Sequence, residues 1–313
     1  MAKRLTTLVV TRTERLSPHF VRLYLGGDRF DDFAPAVGAD GAQATDMYVK
    51  LIFGVPGVSY PEPFDIEAIR GSFPPEQHPV LRTYTIRSID PVARELAIDF
   101  VVHGDEGIAG AWAARARPGE TVRFLGPGSG YRPRADAPWH LLACDESGLP
   151  AVAAALEALP ADATAQVFIE VASEADELDL VAPPGATITW LHRGAGAGDV
   201  GDELAGANAP LVAAVKAAPW LEGEPHVFIH GEAGAVMQNL RGYIRKERGV
   251  SAANASISGY WRRGRTEEGF REWKATQRAA DDTGSEKSAA AEAAAAARSA
   301  VDKAKDVLGR LRN

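Results

Sequence analysis

The spacing of apolar residues changes once along this 313-residue chain, and the change constrains the fold more than any other feature. Before residue 134 apolar and polar residues alternate, as in Val21, Leu23 and Leu25 against Arg22 and Tyr24. A period of two residues is typical of strands with one buried face. We therefore predict a small antiparallel β-barrel, with strands at 5–12, 20–25, 47–53, 82–89, 95–102 and 121–125.

After residue 138 short apolar runs are separated by helical segments. Strands are expected at 140–144, 166–171, 187–191, 226–230 and 255–258, and helices at 149–159, 211–217 and 235–248. Alternation at this spacing predicts a parallel sheet covered by helices, with ligands at the carboxyl ends of the strands. The expected fold class is therefore an antiparallel split barrel followed by an α/β nucleotide-binding domain.

Domain boundaries follow from composition. We expect a barrel domain at 1–134, an α/β domain at 138–274, and a linker with an alanine-rich C-terminal helix at 275–313, whose apolar stripe would lie on the protein or on a second copy. Six prolines between residues 54 and 79 predict an irregular insertion that borders a site or a partner.

Composition excludes several classes of protein. Thirty-four Lys and Arg residues against 42 Asp and Glu residues leave a net charge of −8, which disfavours nucleic acid and anionic membranes as partners. The single cysteine, Cys144, can form neither an internal disulfide nor a cysteine-based zinc site. One predicted strand separates His226 from His230 by about 13 Å, too far for a shared metal ion. With no apolar stretch that spans a bilayer and no signal sequence, we expect a cytoplasmic protein without a bound metal.

The segment RTYTIR at 82–87 places a cation, an aromatic ring and a hydroxyl on one predicted strand. We expect Arg82, Tyr84 and Thr85 to converge on one face. An arginine can pair with a pyrophosphate, a tyrosine can stack on an isoalloxazine ring, and a threonine hydroxyl can meet the reactive nitrogen of that ring. From these six residues alone, an ordinary exposed strand face is the stronger interpretation.

The next predicted strand runs into a loop of small residues that opens a helix, GIAGAWA at 107–113. Backbone N–H groups at such a helix start favour a phosphate. Here the chain resembles the siderophore-interacting, FAD-binding protein family, a branch of the ferredoxin-reductase-like flavoproteins. The resemblance extends to about residue 273 through MYVKL at 47–51, DESGLPA at 145–151, TWLHRG at 189–194, GEA at 231–233 and, most specifically, GYWRRG at 259–264.

The resemblance implies an FAD-binding barrel and assigns its contacts by position. Arg82 would hold the flavin, with Tyr84 and Thr85 positioning its ring and no residue acting as acid or base. The other implied FAD contacts are Asp99, Val101, His103, Ala109, Gly110, Ala111 and Trp112. The family loop usually reads Gly-Pro-Ala-Ser where this chain has GIAG at 107–110, so the backbone donors are kept and a serine contact is lost.

In the second domain, the turn at 145–151 follows a strand and precedes a helix, although it lacks the Rossmann glycine spacing. By resemblance it faces a nicotinamide dinucleotide, with Asp145, Glu146, Ser147, Gly148 and Glu232 as contacts. A formal GxGxxG at 196–201 has no strong helix start after it, and we interpret it as a flexible loop.

Four carboxylates follow the second strand of this domain: Glu170, Glu174, Asp176 and Glu177. An acidic environment repels the 2′-phosphate that distinguishes NADPH from NADH. We therefore expect NADH to be preferred, unless Arg193 reaches the same phosphate.

The sequence predicts an FAD-dependent ferric-siderophore reductase that passes electrons from NADH or NADPH through FAD to siderophore-bound Fe(III). Iron would leave as Fe(II), which hard oxygen donors hold more weakly. Lys50, Arg132 and Arg262 would offset repulsion between the negatively charged protein and an anionic ferric siderophore. Two alternatives stay open: a ferredoxin-linked electron-transfer flavoprotein, and a siderophore-binding protein without catalysis. The sequence does not identify the siderophore, the electron donor or the oligomeric state.

Overall fold

The first half of the chain folds into six strands: β1 (Leu5–Ser17), β2 (Phe20–Gly26), β3 (Tyr48–Phe53), β4 (Val80–Asp90), β5 (Glu95–Val101) and β6 (Thr121–Gly128). All pairs are antiparallel, and the strands close a barrel in the order β1-β2-β5-β4-β3-β6. This computed structural model describes residues 4–35, 43–102, 107–196 and 199–270, together with 272, 273 and 276. The predicted antiparallel barrel is confirmed.

Alternation along the strands separates the barrel core from its surface. Leu23 and Leu25 of β2 and Ile98 of β5 are fully buried in the core. Arg22 and Asp99, their sequence neighbours, face each other across the same ladder on the outer side. The period of two in the sequence is thus the period of burial in the barrel.

The insertion between β3 and β4 contains a helix, α1 (Ile66–Ser72), so the prediction of an irregular segment was wrong. The side chain of Asp65 caps α1 by accepting hydrogen bonds from the N–H groups of residues 67 and 68. Ile66 and Ile69 bury one face of α1 in a small core with Phe64 and Leu81. The prolines lie on either side of the helix, where they do not interrupt its hydrogen bonds. A short helix, α2 (Ala109–Ala113), follows β5.

Five parallel strands form the second sheet: β7 (His140–Asp145), β8 (Ala165–Val171), β9 (Ala186–His192), β10 (His226–Glu232) and β11 (Ala255–Trp261). Their order is β11-β10-β7-β8-β9. The connections include α3 (Leu149–Glu157), α4 (Pro210–Ala217) and two π-helical segments, Gly234–Leu240 and Tyr243–Glu247. Because helices cover both faces, the central strands are buried along their length, which is why they read as continuous apolar runs. The predicted α/β sheet is confirmed.

The barrel packs against the sheet through apolar and polar contacts. Phe20 of β2 is fully buried in one core cluster with Leu142 of β7 and Phe228 of β10. Asp176, which follows β8, is completely buried and accepts hydrogen bonds from the Ser17 hydroxyl and the His19 backbone at the β1–β2 turn. These contacts fix the carboxyl ends of the sheet strands relative to the barrel.

Residues 1–263 form one compact unit and residues 264–313 a second. The predicted alanine-rich C-terminal helix lies outside the described residues. Within the part of the chain that the structure describes, no helix is both long and apolar enough to cross a membrane.

Candidate functional site

Strand β4 carries the residues predicted to position a flavin ring. Arg82 and Tyr84 pair across the ladder with two core residues of β3, and the Tyr84 ring lies 4.4 Å from the ring of Phe100. Thr85 pairs with Tyr48 and projects from the opposite face. The expectation of one shared face is therefore correct for Arg82 and Tyr84 and wrong for Thr85, because neighbouring strand residues alternate in direction.

The turn at the start of α2 lies tightly against the barrel. A Cβ atom at Gly110 would lie 2.6 Å from the carbonyl oxygen of Val101, so only glycine allows α2 to approach β5 this closely. The Trp112 ring packs edge-on against the rings of Phe53 and Phe100. The predicted contacts Ala109 and Ala111 are buried small residues of the same turn.

Asp99 was expected beside the flavin, and its carboxylate pairs with Arg22 on the outer side of the barrel. Arg22 donates to both oxygens, with distances of 2.5 Å from Nε to Oδ1 and 2.8 Å from Nη2 to Oδ2. Asp99 is only 4% exposed and is a partner of Arg22, and its contact with a flavin stays a prediction. His103 lies outside the described residues.

The residues of this face fit a flavin dinucleotide. Arg82 supplies a cation for a pyrophosphate, and Tyr84 supplies an aromatic surface for a ring system. Side chains no larger than a methyl group at 109–111 let a phosphate approach the backbone at the start of α2. The residue that caps this helix, Ile108, contributes no side-chain hydrogen bond to its first turn.

Asp145, at the end of β7, receives hydrogen bonds from four donors. Its Oδ1 accepts from the Ser147 N–H at 2.9 Å and from the Ser147 hydroxyl at 2.5 Å. Its Oδ2 accepts from the Glu232 N–H and from the Trp261 indole, both at 2.7 Å. This buried carboxylate holds the ends of three strands together. Asp145 also lines the pocket described below, and its contact with a dinucleotide stays a prediction.

The other predicted dinucleotide contacts also have defined partners. The Glu232 carboxylate accepts hydrogen bonds from the N–H groups of Ala235 and Arg263. A Cβ atom at Gly148 would lie 2.8 Å from the carbonyl oxygen of His230, so glycine is required for α3 to begin this close to β10. Ser147 is half-buried beside it. Glu232 thus fixes the local backbone through its side chain, and Gly148 allows the close approach of α3 to β10.

Glu146 forms a buried ion-pair cluster with Arg193 and Glu170. Arg193 Nη1 lies 2.8 Å from Glu146 Oε2 and 3.1 Å from Glu170 Oε1, and its Nη2 also binds Glu146. Burial raises the pKa of Glu146, and it raises the pKa of Glu170 to about 7 against the opposing attraction of Arg193. Sequence reasoning considered Arg193 only as a phosphate contact and missed this burial. The TWLHRG motif, which spans the end of β9, is the signal that could have placed it beside the ends of β7 and β8.

An open pocket of about 410 Å³ lies at the carboxyl ends of the parallel strands. Its lining includes Asp145, Glu170, Arg193, Glu232, Trp261 and Arg263. The sheet order reverses between β7 and β10, and ligands of open α/β sheets bind at such a point. The pocket therefore has the position of a dinucleotide-binding crevice.

The GYWRRG segment connects this pocket to the barrel. Tyr260 shares a hydrogen bond with Thr85 of β4, and burial raises the Tyr260 pKa. Trp261, the next residue, lines the pocket. Tyr260 thus contacts the proposed flavin strand, and Trp261 lines the dinucleotide crevice.

The three predicted substrate cations occupy separate elements. Lys50 lies on the same side of β3 as Tyr48, whose cross-strand partner is Thr85. Arg262 follows the Tyr260–Trp261 pair, and Arg132 is exposed after β6, where its Nη1 donates to the Gln43 carbonyl at 3.3 Å. Lys50 and Arg262 therefore both lie near the contact between Thr85 and the GYWRRG segment.

The acidic residues after β8 do not form one cluster. The carboxylate of Asp176 binds the barrel, and the half-buried Glu177 pairs with His192 at 2.7 Å. Only Glu170 of the four lines the pocket. The GxGxxG segment at 196–201 is only partly described, because residues 197 and 198 lie outside the described residues.

The closed barrel followed by a five-stranded parallel sheet is a ferredoxin-reductase-like fold. The fold is similar to that of a ferredoxin reductase in carbazole 1,9a-dioxygenase, with a TM-score of 0.57 at 15% identity over 82% of this chain and 70% of that one. The siderophore-interacting FAD-binding domain matches residues 9–131, and the siderophore-interacting protein profile matches residues 137–264. The chain belongs to the siderophore-interacting protein family, as the sequence motifs predicted.

Several relatives support this membership. The uncharacterized protein Rv2895c of Mycobacterium tuberculosis is 51% identical over 85% of this chain and 93% of its own length. Ferric vibriobactin reductase ViuB of Vibrio cholerae is 34% identical over 63% of this chain and 70% of its own length. An NADPH-dependent ferric-chelate reductase of Escherichia coli is 34% identical over 60% of this chain and 71% of its own length. A siderophore utilization protein from T. fusca has a similar structure, with a TM-score of 0.68 at 35% identity over 85% of this chain and 95% of that one.

Proposed function

We propose that this protein is an FAD-dependent ferric-siderophore reductase, which passes electrons from NADH or NADPH to siderophore-bound Fe(III) and releases Fe(II) in the cytoplasm. The observation that carries the proposal is the pair Tyr260 and Trp261. One residue bonds the flavin strand through Thr85, and the next lines the crevice at the strand ends. Such an arrangement suits electron transfer between a dinucleotide in the α/β domain and a flavin on the barrel.

Bound FAD would accept two electrons together from a nicotinamide and deliver them singly to ferric iron. Arg82 would hold the FAD pyrophosphate through a charge-assisted hydrogen bond, and the Tyr84 ring would stack on the isoalloxazine. Asp145 would position the crevice by fixing Ser147 and Trp261. No side chain needs to act as an acid or a base at the iron.

Cations would bring the substrate to the flavin. Ferric siderophores are oxygen-rich and commonly anionic, and the net charge of −8 repels them at long range. Lys50 and Arg262 near the Thr85–Tyr260 contact, with Arg132 after β6, would supply local positive charge. The names of the vibriobactin and ferric-chelate reductases are consistent with this substrate class.

Anaerobic stopped-flow spectroscopy tests the proposal. The purified protein should be yellow, NADH or NADPH should bleach its flavin absorbance, and a ferric siderophore should restore it as Fe(II) is trapped by a chromogenic chelator. Protein that stays colourless and takes up no added FAD would refute the assignment. Reduction by reduced ferredoxin alone would favour the ferredoxin-linked alternative, and ferric-siderophore binding without flavin turnover would favour a non-catalytic binding protein.

A further inference from the structure

The Arg193 guanidinium is held inside the wall of the crevice by two carboxylates. The side chains of Arg193 and Glu146 are each 3% exposed, and that of Glu170 is 7% exposed. Glu170 also accepts a 2.8 Å hydrogen bond from the Leu211 N–H at the start of α4. All three charged groups therefore have fixed positions.

The net charge of this cluster determines how it interacts with a charged ligand. One guanidinium faces two carboxylates, so the cluster is negative when both are ionised. The other arginine of the crevice, Arg263, forms an ion pair with Asp202. Two further carboxylates, Asp145 and Glu232, line the same wall. The positive charges that line the described pocket are thus already balanced by negative ones.

The position of Glu170 relates the cluster to one part of a dinucleotide. In parallel nucleotide-binding sheets, a carboxylate near the end of the second strand meets the adenosine ribose, about 20 residues after the first turn. Glu170 lies near the end of β8, the strand that follows β7 in both sequence and sheet. A 2′-phosphate on that ribose would approach Glu170 with Arg193 already neutralised.

We infer that Arg193 is a specificity-determining residue, and that Glu146 and Glu170 hold it so that the crevice accepts a dinucleotide with a free ribose 2′-hydroxyl and rejects one with a 2′-phosphate. The inference rests on the proposed dinucleotide site and assigns its substrate class as NADH. Loss of either carboxylate would leave Arg193 paired with the other alone, so the cluster would lose one negative charge and repel a phosphate less.

Calorimetry on the FAD-loaded protein tests this with two probes, 5′-AMP and adenosine 2′,5′-bisphosphate. The wild-type protein should bind 5′-AMP about tenfold more tightly or better, because like charges close together in a protein site are strongly unfavourable. Glu146→Gln and Glu170→Gln should each shift the ratio about tenfold toward the bisphosphate. Adding Arg193→Met to either variant should abolish that shift.

A matched control removes one carboxylate outside the crevice. Glu177→Gln, after the same strand, should leave the affinity ratio unchanged, which excludes a general effect of net charge. Equal or tighter bisphosphate binding by the wild-type protein would overturn the inference while leaving the dinucleotide site in place. Failure of both probes to bind would instead refute the proposed site. Because the wild-type comparison needs no substitution, an unstable variant does not prevent the test.

Discussion

The indole Nε1 of Trp261 donates a 2.7 Å hydrogen bond to Oδ2 of Asp145, joining the end of β11 to the end of β7 across the intervening β10. The same oxygen accepts from the backbone of Glu232 at the end of β10. One carboxylate oxygen therefore holds three strand ends at the point where the crevice opens. Tyr260, immediately before Trp261, is placed against Thr85 as a consequence.

Asp145→Asn should destabilise the protein by about 2–3 kcal/mol. The amide nitrogen of asparagine cannot accept a hydrogen bond. The buried N–H and O–H donors on that side of the side chain would therefore lose their acceptor. Urea unfolding of the FAD-saturated protein measures the loss. Ser147→Ala, which removes only the hydroxyl donor, should cost about 1 kcal/mol. Equal stabilities for Asp145→Asn and the wild-type protein would show that the four hydrogen bonds contribute little.

Gly110→Ala should reduce FAD retention. The added Cβ would meet the Val101 carbonyl oxygen at 2.6 Å, so α2 must move away from β5 together with the turn that we propose to bind the FAD pyrophosphate. The measurement is FAD affinity by fluorescence titration of the apoprotein. Gly71→Ala in α1 is the control, because a Cβ there meets no atom within 4 Å. Wild-type FAD affinity in Gly110→Ala would place the pyrophosphate elsewhere.

Arg82→Ala should weaken FAD binding by about 1.5–3 kcal/mol through loss of a charge-assisted contact. The flavin absorbance envelope should change little, since the arginine does not contact the isoalloxazine in this proposal. Equilibrium dialysis against FAD gives the affinity, and retention equal to that of the wild-type protein would leave Arg82 as a structural residue of β4.

Tyr84→Ala should change the flavin absorbance and fluorescence as well as the FAD affinity, because the stacked ring is removed. Tyr84→Phe keeps the aromatic surface and should retain the wild-type spectrum. If both variants have wild-type spectra and affinities, the flavin does not stack on this residue.

The contribution of His140 to stability should fall as the pH decreases from about 6.5 to about 4. Burial, with a further effect of His226, lowers the pKa of His140 to about 4, below the ordinary value of 6.5. In this range the unfolded chain binds a proton that the folded protein does not, so acid favours unfolding by on the order of 2–3 kcal/mol. His140→Leu should remove this contribution, so that the variant loses less stability than the wild-type protein as the pH decreases in urea-unfolding measurements. The exposed His192, replaced in His192→Gln, should leave the slope unchanged; a wild-type slope in His140→Leu would contradict the assignment.

Lys50→Ala and Arg262→Ala should each weaken ferric-chelate binding and make it less sensitive to ionic strength, with FAD content unchanged. Removing a cation from the substrate path reduces the attraction that salt can screen. Affinities measured between low and physiological salt test this. Unchanged affinity and salt slope in both variants would remove the cationic site while leaving the flavoprotein assignment in place.

The spacing of apolar residues along the chain was sufficient to predict the strands. Alternation at Val21, Leu23 and Leu25 and the apolar runs of β7 and β10 predicted all eleven strands, because burial on one face or two follows directly from residue spacing. Helix α1 was missed although Asp65 is a capping residue, since the surrounding prolines dominated the interpretation. The GYWRRG motif identified the family from sequence.

Partnership between distant side chains was decided only by the tertiary structure. Asp145 and Trp261 are 116 residues apart, and Arg193 is 47 residues from Glu146. Their contacts depend on strand order, on which strand ends meet, and on how closely α2 and α3 approach the sheets. Thr85 is a further example. The sequence analysis placed it on the face of β4 that carries Arg82 and Tyr84, whereas its hydrogen bond to Tyr260 lies on the opposite face. Spacing along the chain determines which side chains share a face of one element, whereas packing between elements determines which charges and hydrogen-bonding groups meet.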